Sequence, residues 1–352
     1  MYREVEEYLA RAIASDAVAY GHLAGNGAAS RLEAMLCSFY GAKHALCVDS
    51  ATNGLMYLLL AVGLKRSEIL TAPLSFGGTI AGAMVLDCKF HFADIDDTLN
   101  ICPESTLDIL RRNRAIKAVI AVDFAGNPHR MAEIHDMCSD LGIWHFVDAA
   151  QSLGADYGRQ DVAELNDAMV VSFGSGKAVF AGGEGGAIVT NNTELYERLL
   201  SVCQHAHRQE RDLGIGMSHE FALNGRMHPV AAMIACHSFE SGLDAIRRKR
   251  EAFKEALAVL STLDSVSSVF DQEGSAFYHC PFMVGDEQLL KDEFLSTTLA
   301  KDFLYKKVTF VPLPQQLHLA GEGKRVRTCS CPRLERTMDG LFLLLRRRSD
   351  SS

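Results

Sequence analysis

Short apolar runs alternate along this chain with segments in which apolar residues recur at helical spacing. The short runs predict buried strands at Ala45–Val48, Ile69–Ala72, Lys89–Ala93, Ala118–Asp123, Trp144–Val147, Ala168–Ser172 and Gly186–Val189. The helical spacing predicts helices at Tyr2–Ala14, Leu55–Val62, Gly77–Leu86, Met131–Leu141 and Thr193–His205. An alternation of this kind predicts an α/β fold, in which a sheet is covered by helices on both faces.

The pattern changes after about two hundred residues. From His228 to Leu260 it predicts one long or broken helix, and the strand signals weaken beyond it. A chain of 352 residues exceeds an ordinary single domain. We therefore expect a large domain at residues 1–235 and a small carboxy-terminal domain at residues 236–352. Because no proline-rich or low-complexity segment separates them, we expect a helix rather than a flexible linker between the two.

Composition excludes several classes of protein. Hydrophobic residues make up 48% of the chain and charged residues 22%, which excludes a disordered chain. The longest apolar stretch, Leu55–Leu64, is too short to cross a bilayer. A net charge of -9 argues against nucleic-acid binding. The amino-terminal segment is acidic and amphipathic rather than a signal peptide, so we expect a cytoplasmic protein.

The ten cysteines are scattered through mostly apolar segments, which favours free buried thiols. Cys329 and Cys331 are separated by one residue, whereas zinc pairs have two or more residues between them, and no second pair completes a tetrahedral set. We therefore expect no metal site.

Candidate chemistry centres on Lys177, which lies among small residues after a predicted strand, and on Asp148, which ends another. Lys177 does not belong to a phosphate-binding loop of an ATPase, because Val171 and Ala178 stand where that motif needs glycine and a hydroxyl residue. A lysine amine and a buried carboxylate are what pyridoxal phosphate requires, for its Schiff base and for its protonated pyridine nitrogen. Taken singly, Lys177 could be a surface lysine and Asp148 a capping residue.

Two further elements fit the same cofactor. The turn Asp49–Gly54 lies between a predicted strand and a predicted helix, so its amides and hydroxyls could bind a phosphate or simply cap the helix. Gln151 could donate to the phenolic oxygen of the cofactor or be an ordinary polar residue of a first turn.

In their order along the chain, these segments resemble the DegT/DnrJ/StrS family of aminotransferases. The resemblance covers about two hundred residues, and it rests on Ser50–Thr52, Ala72–Phe76, Phe92–Asp96, Asp148–Gln151, Ser172–Phe173 with Lys177, Glu184–Thr190 and Asn224–Met227. It implies pyridoxal phosphate as cofactor and the type I fold of pyridoxal-phosphate-dependent transferases. That fold has a large domain with a mostly parallel central sheet and a small carboxy-terminal α+β domain.

The resemblance also implies roles for individual residues. Lys177 would form the Schiff base, Asp148 would pair with the pyridine nitrogen and Gln151 would lie near the phenolic oxygen. Phe76 would stack on the ring. The phosphate would be held by Ala51, Thr52 and Ser172, and by Asn224 of the partner subunit. The expected assembly is therefore a homodimer with shared active sites.

The implied reaction is transfer of an amino group from an amino acid donor, commonly L-glutamate in this family, to a keto sugar or ketocyclitol. Two alternatives stay open: another pyridoxal-phosphate-dependent reaction on the same scaffold, and a non-catalytic regulatory protein. Two departures from the family motivate the first alternative. Gly174 stands where members commonly have histidine, and the carboxy-terminal segment Val311–His318 only faintly matches the family's substrate-binding pattern.

Overall fold

The predicted alternation of strands and helices is present in the structure, a computed structural model that describes residues 2–14, 21–158, 161–214, 222–270 and 272–347. The helices of its amino-terminal part are α1 Tyr2–Ala14, α2 Ala28–Tyr40, α3 Ala51–Ala61, α4 Gly78–Val85, α5 Pro103–Arg112, α6 Met131–Leu141, α7 Thr193–Cys203 and α8 Ala206–Leu213. The strands between them are β1 His44–Val48, β2 Glu68–Thr71, β3 Lys89–Phe92, β4 Ile116–Val122, β5 Trp144–Asp148, β6 Ala168–Ser172 and β7 Gly186–Thr190.

The carboxy-terminal part begins with the long helix α9, Pro229–Leu260. After it come β8 Val266–Val269, β9 Cys280–Val284, α10 Glu287–Ser296, α11 Leu299–Asp302, β10 Phe303–Lys307, α12 Leu313–Leu319, β11 Val326–Cys329, α13 Pro332–Gly340 and β12 Leu341–Arg346. The prediction of one long helix here is confirmed: α9 has 32 residues and is continuous.

The central sheet has the strand order β1-β7-β6-β5-β4-β2-β3-β11. Neighbouring strands are parallel from β6 to β11, whereas β7 runs antiparallel to both β6 and β1. This is the mostly parallel sheet that was expected. Apart from the edge strand β11, its strands are short and almost wholly buried, as in β4, where Lys117 alone is exposed, because helices cover both faces.

The carboxy-terminal part forms a second sheet, with strand order β10-β12-β9-β8, beside which α10 and α11 pack. It does not stand wholly apart from the central sheet, since β11 pairs in parallel with β3. Leu313, Leu317 and Leu334 are also buried in the core under the central sheet. The division into residues 1–235 and 236–352 therefore stays a prediction, with β11 crossing back to the first part.

The topology brings several loops to one edge of the central sheet. The carboxyl ends of β2, β4, β5 and β6 lie at this edge, where open α/β sheets bind ligands. The start of β7 approaches the start of α3 so closely that a Cβ at Gly186 would lie 2.6 Å from the Ala51 nitrogen. Only glycine fits at that position.

The described residues contain no disulfide bond, membrane-spanning helix or metal-binding cluster. All ten cysteines are free thiols, most of them buried, and the sulfurs of Cys329 and Cys331 are 3.9 Å apart. Within the described ranges no helix is long and apolar enough to span a bilayer. The same ranges contain no group of three or more metal-ligating side chains.

A buried ion pair joins two helices outside this edge. Both nitrogens at the end of Arg208 donate to the Glu33 carboxylate at 2.9 Å, and the Cys47 amide donates to it at 2.8 Å. Burial acts to lower the pKa of Arg208, but the charge and hydrogen bonds of Glu33, together with Tyr196 and Asp212, outweigh burial and raise it. The pair thus holds α8 against α2 through two parallel hydrogen bonds between a guanidinium and a carboxylate.

We expect Arg208→Met to lower the free energy of unfolding by about 3 to 5 kcal/mol, because Glu33 would stay buried without its partner. Urea unfolding followed by circular dichroism measures the loss. Arg198→Met is the matched control, since Arg198 pairs with Glu194 in the open and its loss should cost no more than about 0.5 kcal/mol. Equal effects of the two substitutions would contradict this role of the buried pair.

Candidate functional site

A cavity of about 410 Å³ opens at the carboxyl edge of the central sheet. It is lined by seven of the eight site residues expected from the sequence, namely Ala51, Thr52, Phe76, Asp148, Gln151, Ser172 and Lys177. The structure thus brings together residues that are spread over more than a hundred positions of the chain.

Lys177 lies in the loop that follows β6. Its backbone amide donates to the Gly174 carbonyl at 3.2 Å, which closes a tight turn. Its half-buried ammonium group lies 4.1 Å from the centre of the Tyr278 ring. Burial lowers the pKa of Lys177, and the Asp148 carboxylate acts in the opposite direction. The amine is therefore closer to its neutral, nucleophilic form than a surface lysine is.

Asp148 is the last residue of β5, and its carboxylate is held from two sides. The Thr79 hydroxyl donates to Oδ2 at 2.6 Å, and the Ala150 amide donates to Oδ1 at 3.1 Å. Since the Thr79 proton is used in this bond, the Ser75 hydroxyl, 2.6 Å away, donates to Thr79. Burial raises the pKa of Asp148, while Thr79, Ala150 and the charge of Lys177 counteract it.

Gln151 is oriented by the backbone of the neighbouring loop. Its Oε1 accepts a hydrogen bond of 2.7 Å from the Ala125 amide. The carbonyl end of the side chain is thereby used, and the NH₂ end is the donor that the amide presents to the cavity.

The turn before α3 caps the helix and also lines the cavity. Ser50 is a helix cap, because its Oγ accepts from the Asn53 amide at 3.2 Å. Asp49 accepts from the Asn53 side chain at 2.6 Å and from the Tyr57 hydroxyl at 3.1 Å, so it faces the helix. Ala51 and Thr52 line the cavity, where the helix dipole and first amides favour an anion.

Phe76 is the most exposed aromatic side chain of the cavity wall, with 77% of its surface accessible. A large apolar ring left in a cleft is typical of a surface that covers a ligand. The poorly matched segment Val311–His318 lies beside it, since the Leu313 amide donates to the Pro73 carbonyl at 2.8 Å. A Cβ at Gly77, the residue after Phe76, would lie 3.6 Å from Oε1 of Gln316, so this segment packs next to the loop that carries Phe76.

Asn224 is the one expected site residue that does not line this cavity. It is exposed, and the next two residues are tied to the base of α3: the Asp49 amide donates to the Gly225 carbonyl at 2.9 Å, and Arg226 bridges Val48. Within its own chain, Asn224 therefore lies outside the cavity.

Several lining residues were missed by the sequence analysis. Thr79 and Ser75 gave no signal, because a hydroxyl beside a helix start usually reads as a cap. Tyr278 and His279 come from the carboxy-terminal part that the pattern could not resolve. Gly174 was noticed as a departure, and a Cβ there would lie 3.2 Å from Oε2 of Glu184, so the carboxylate occupies space that a larger side chain would need.

Comparison with known proteins adds independent findings. The sequence profile of the DegT/DnrJ/EryC1/StrS aminotransferase family matches residues 6–344. A UDP-4-amino-4,6-dideoxy-N-acetyl-beta-L-altrosamine transaminase of Campylobacter jejuni is 30% identical over 287 residues, which are 81% of this chain and 67% of that protein. The transaminase of the same name from another strain is 32% identical over 231 residues, covering 65% of this chain and 60% of that relative.

Among solved structures, a DegT DnrJ EryC1 StrS aminotransferase from Brucella abortus superposes with a TM-score of 0.77. The match covers 97% of this chain and 91% of the other, at 20% sequence identity. At that identity the likeness concerns the fold, which is the type I fold of pyridoxal-phosphate-dependent aminotransferases.

The residues present fit pyridoxal phosphate. Asp148 is a buried carboxylate whose charge is opposed by burial, and the cationic pyridine nitrogen would supply a partner for it. Lys177 would hold the aldehyde carbon, Phe76 would cover the ring and Gln151 would donate to its oxygen. Ala51, Thr52 and Ser172 would hold the phosphate at the start of α3, where the glycine at position 186 leaves room.

We expect Thr79→Val to weaken binding of pyridoxal phosphate about ten- to a hundred-fold, because a hydrogen bond to a charged group contributes about 1.5 to 3 kcal/mol. Without the hydroxyl, the pKa of Asp148 should rise further, so a smaller fraction of this carboxyl group should be ionised. Titration of cofactor-free protein, followed by absorbance, measures the affinity. Thr79→Ser retains the donor and should bind as the wild type does; equal weakening in both variants would contradict the role of the hydroxyl.

Proposed function

The chain belongs to the DegT/DnrJ/EryC1/StrS aminotransferase family, and from that premise we propose that it transfers an amino group from L-glutamate to a keto sugar. The reaction uses pyridoxal phosphate and serves a biosynthetic pathway. The single observation that carries the proposal is that Lys177 and buried Asp148 line one cavity beside the start of α3, where each influences the pKa of the other.

Pyridoxal phosphate supplies an aldehyde that exchanges amines and a ring that withdraws electrons from the substrate carbon. The protein supplies a base, an electrostatic partner and a binding surface. Lys177 Nζ would accept the proton from the substrate carbon that bears the amine and would pass it to the carbon of the cofactor's aldehyde group. Its pKa, lowered by burial, suits a group that must be neutral when it accepts the proton. Asp148, held in place by Thr79, keeps a positive charge stabilised opposite it.

The acceptor is a keto sugar, and we propose that it is linked to a nucleotide. This is supported by the two Campylobacter relatives, whose names describe transaminases of a UDP-linked amino sugar. The cavity mouth supports it as well, because exposed Phe76 and the segment Val311–His318 offer a broad surface for a substrate larger than a simple keto acid. The cytoplasm is the proposed location.

We further propose a homodimer in which each cavity receives Asn224 from the partner subunit. In its own chain Asn224 is exposed and lies outside the cavity. Leu223, directly before it, is exposed to 44%, and Phe180, three residues after Lys177, to 43%. Large apolar side chains in these positions favour coverage by a second copy of the chain.

Addition of L-glutamate, without any keto acceptor, should shift the visible absorbance band of wild-type protein and release 2-oxoglutarate. Lys177→Ala should slow this half-reaction by roughly a hundred- to ten-thousand-fold, the usual contribution of a positioned base. Absorbance and quantification of 2-oxoglutarate measure both. Lys65→Ala is the control, since Lys65 is exposed and lies outside the cavity. Bound cofactor that is indifferent to glutamate in the wild type would contradict this donor.

Mixing two variants of low activity tests whether each cavity is completed by the partner subunit. We expect Lys177→Ala and Asn224→Ala dimers to be weakly active alone, and mixed dimers to regain roughly a quarter of the wild-type activity. Half of randomly mixed dimers pair the two variants, and one of their two cavities then has both residues intact. The measurement is activity after subunit exchange, compared with each variant alone. No recovery in mixtures whose exchange has been verified would rule out donation of Asn224 by the partner.

A further inference from the structure

A second cavity, of about 240 Å³, adjoins the one described above. The two share the lining residues Ala150, Gln151, Ser172, Lys177 and Tyr278, so they meet where the Lys177 ammonium lies over the Tyr278 ring. The far wall of the second cavity comes from the long helix α9, through Ala245, Ile246 and Lys249. A molecule that reacts at Lys177 could therefore extend into this space.

Lys249 is the polar group of that wall. Its Nζ donates to the Tyr278 carbonyl at 3.1 Å and lies 5.4 Å from the centre of the Phe253 ring. Among the residues that the structure describes, no carboxylate lies within ion-pair distance of it. Burial lowers the pKa of Lys249. A half-buried ammonium without a counter-ion has lost part of its hydration, and an anion bound in the cavity would compensate for that loss.

Lys249 and Lys177 are the two cationic residues that line the second cavity, and His279 beside them adds no charge. Burial, Lys249 and Lys177 together lower the pKa of His279 to about 4, so this imidazole is neutral at neutral pH. The Asp148 carboxylate acts to raise the pKa of Lys177, and it lies on the side of the first cavity. The side next to Lys249 is thus cationic, while its remaining walls are mostly apolar: Leu153, Val179, Ile246 and Ala276. A cation at the end of an apolar passage suits an acid with a methylene chain.

We propose that Lys249 binds a carboxylate of the amino donor, and that the second cavity is the subsite for an amino dicarboxylic acid such as glutamate. The inference rests on the proposed function, because it assumes that the donor amine reacts at Lys177. The methylene groups of the donor lie between the two lysines against the apolar walls. The carboxylate of the donor then accepts charge-assisted hydrogen bonds from Lys249 Nζ. One proton of this ammonium group is used in the hydrogen bond to the Tyr278 carbonyl, and the others remain available.

Glutarate, which has both carboxylates of the donor but no amine, is the probe. Calorimetric titration into protein loaded with pyridoxal phosphate should show glutarate binding, and valeramide, a neutral molecule of similar size, should not bind measurably. Lys249→Met keeps an apolar chain of similar length without the charge. It should weaken glutarate about ten- to a hundred-fold, the range for a hydrogen bond to a charged group. Absence of glutarate binding to the wild type overturns the proposal.

Two controls separate the charge of Lys249 from its structural bond. Lys254→Met changes an exposed lysine five residues further along the same helix and should leave glutarate binding unchanged. Lys249→Gln retains a donor for the Tyr278 carbonyl without the charge, and it should bind glutarate as weakly as Lys249→Met. Wild-type affinity in Lys249→Gln overturns the proposal, and this variant serves if methionine impairs folding.

Kinetics distinguish this inference from the proposed function. If wild-type protein does not react with glutamate at all, the proposed function fails for that donor. If the wild type reacts, Lys249→Met should raise the KM for glutamate about ten- to a hundred-fold with little change in kcat, because it removes binding rather than the base. An unchanged KM in Lys249→Met, in protein that reacts with glutamate, overturns the role of Lys249 and leaves the proposed function standing.

Discussion

A carboxylate buried at the end of a central strand is the constraint around which this site is built. Asp148 is 7% exposed, and burial by itself favours the protonated acid. Three features keep the charge in place: the hydroxyl of Thr79, the amide of Ala150 and the ammonium of Lys177. A positive ring nitrogen opposite Asp148 would complete the balance, so the site is prepared for the cofactor before it binds.

The positions of these groups follow from the order of strands in the central sheet. Parallel β4, β5 and β6 end at one edge, where Asp148 pairs with Val170 and Ser172 follows two residues further along β6. The antiparallel β7 then returns beside β6, and its first residue, Gly186, packs against the backbone at the start of α3. This close approach of β7 to the start of α3 leaves the first amides of α3 facing the cavity.

The carboxy-terminal part does more than cover the central sheet. Tyr278 places its ring under Lys177 and its backbone carbonyl against Lys249, so one residue contacts both lysines. Lys249 lies on helix α9, which leads from the central sheet to the second sheet, and β11 pairs with β3 of the central sheet. In the proposals above, the donor and the acceptor bind at different walls: the donor at α9, and the acceptor at the loop of Phe76 with Val311–His318.

The sequence by itself determined the alternation of strands and helices and the long helix α9, and it singled out Lys177 and Asp148 as candidates that the structure places in one cavity. These were readable because side-chain periodicity and the order of short motifs are local properties. Only the tertiary structure decided that Thr79 supports Asp148, 69 positions away, and that Tyr278 and Lys249 adjoin Lys177. It also decided that β11 joins the central sheet. Such contacts depend on which strands pair and which helices cross, and a linear pattern does not encode the direction in which a hydroxyl or an ammonium points until the chain is packed around it.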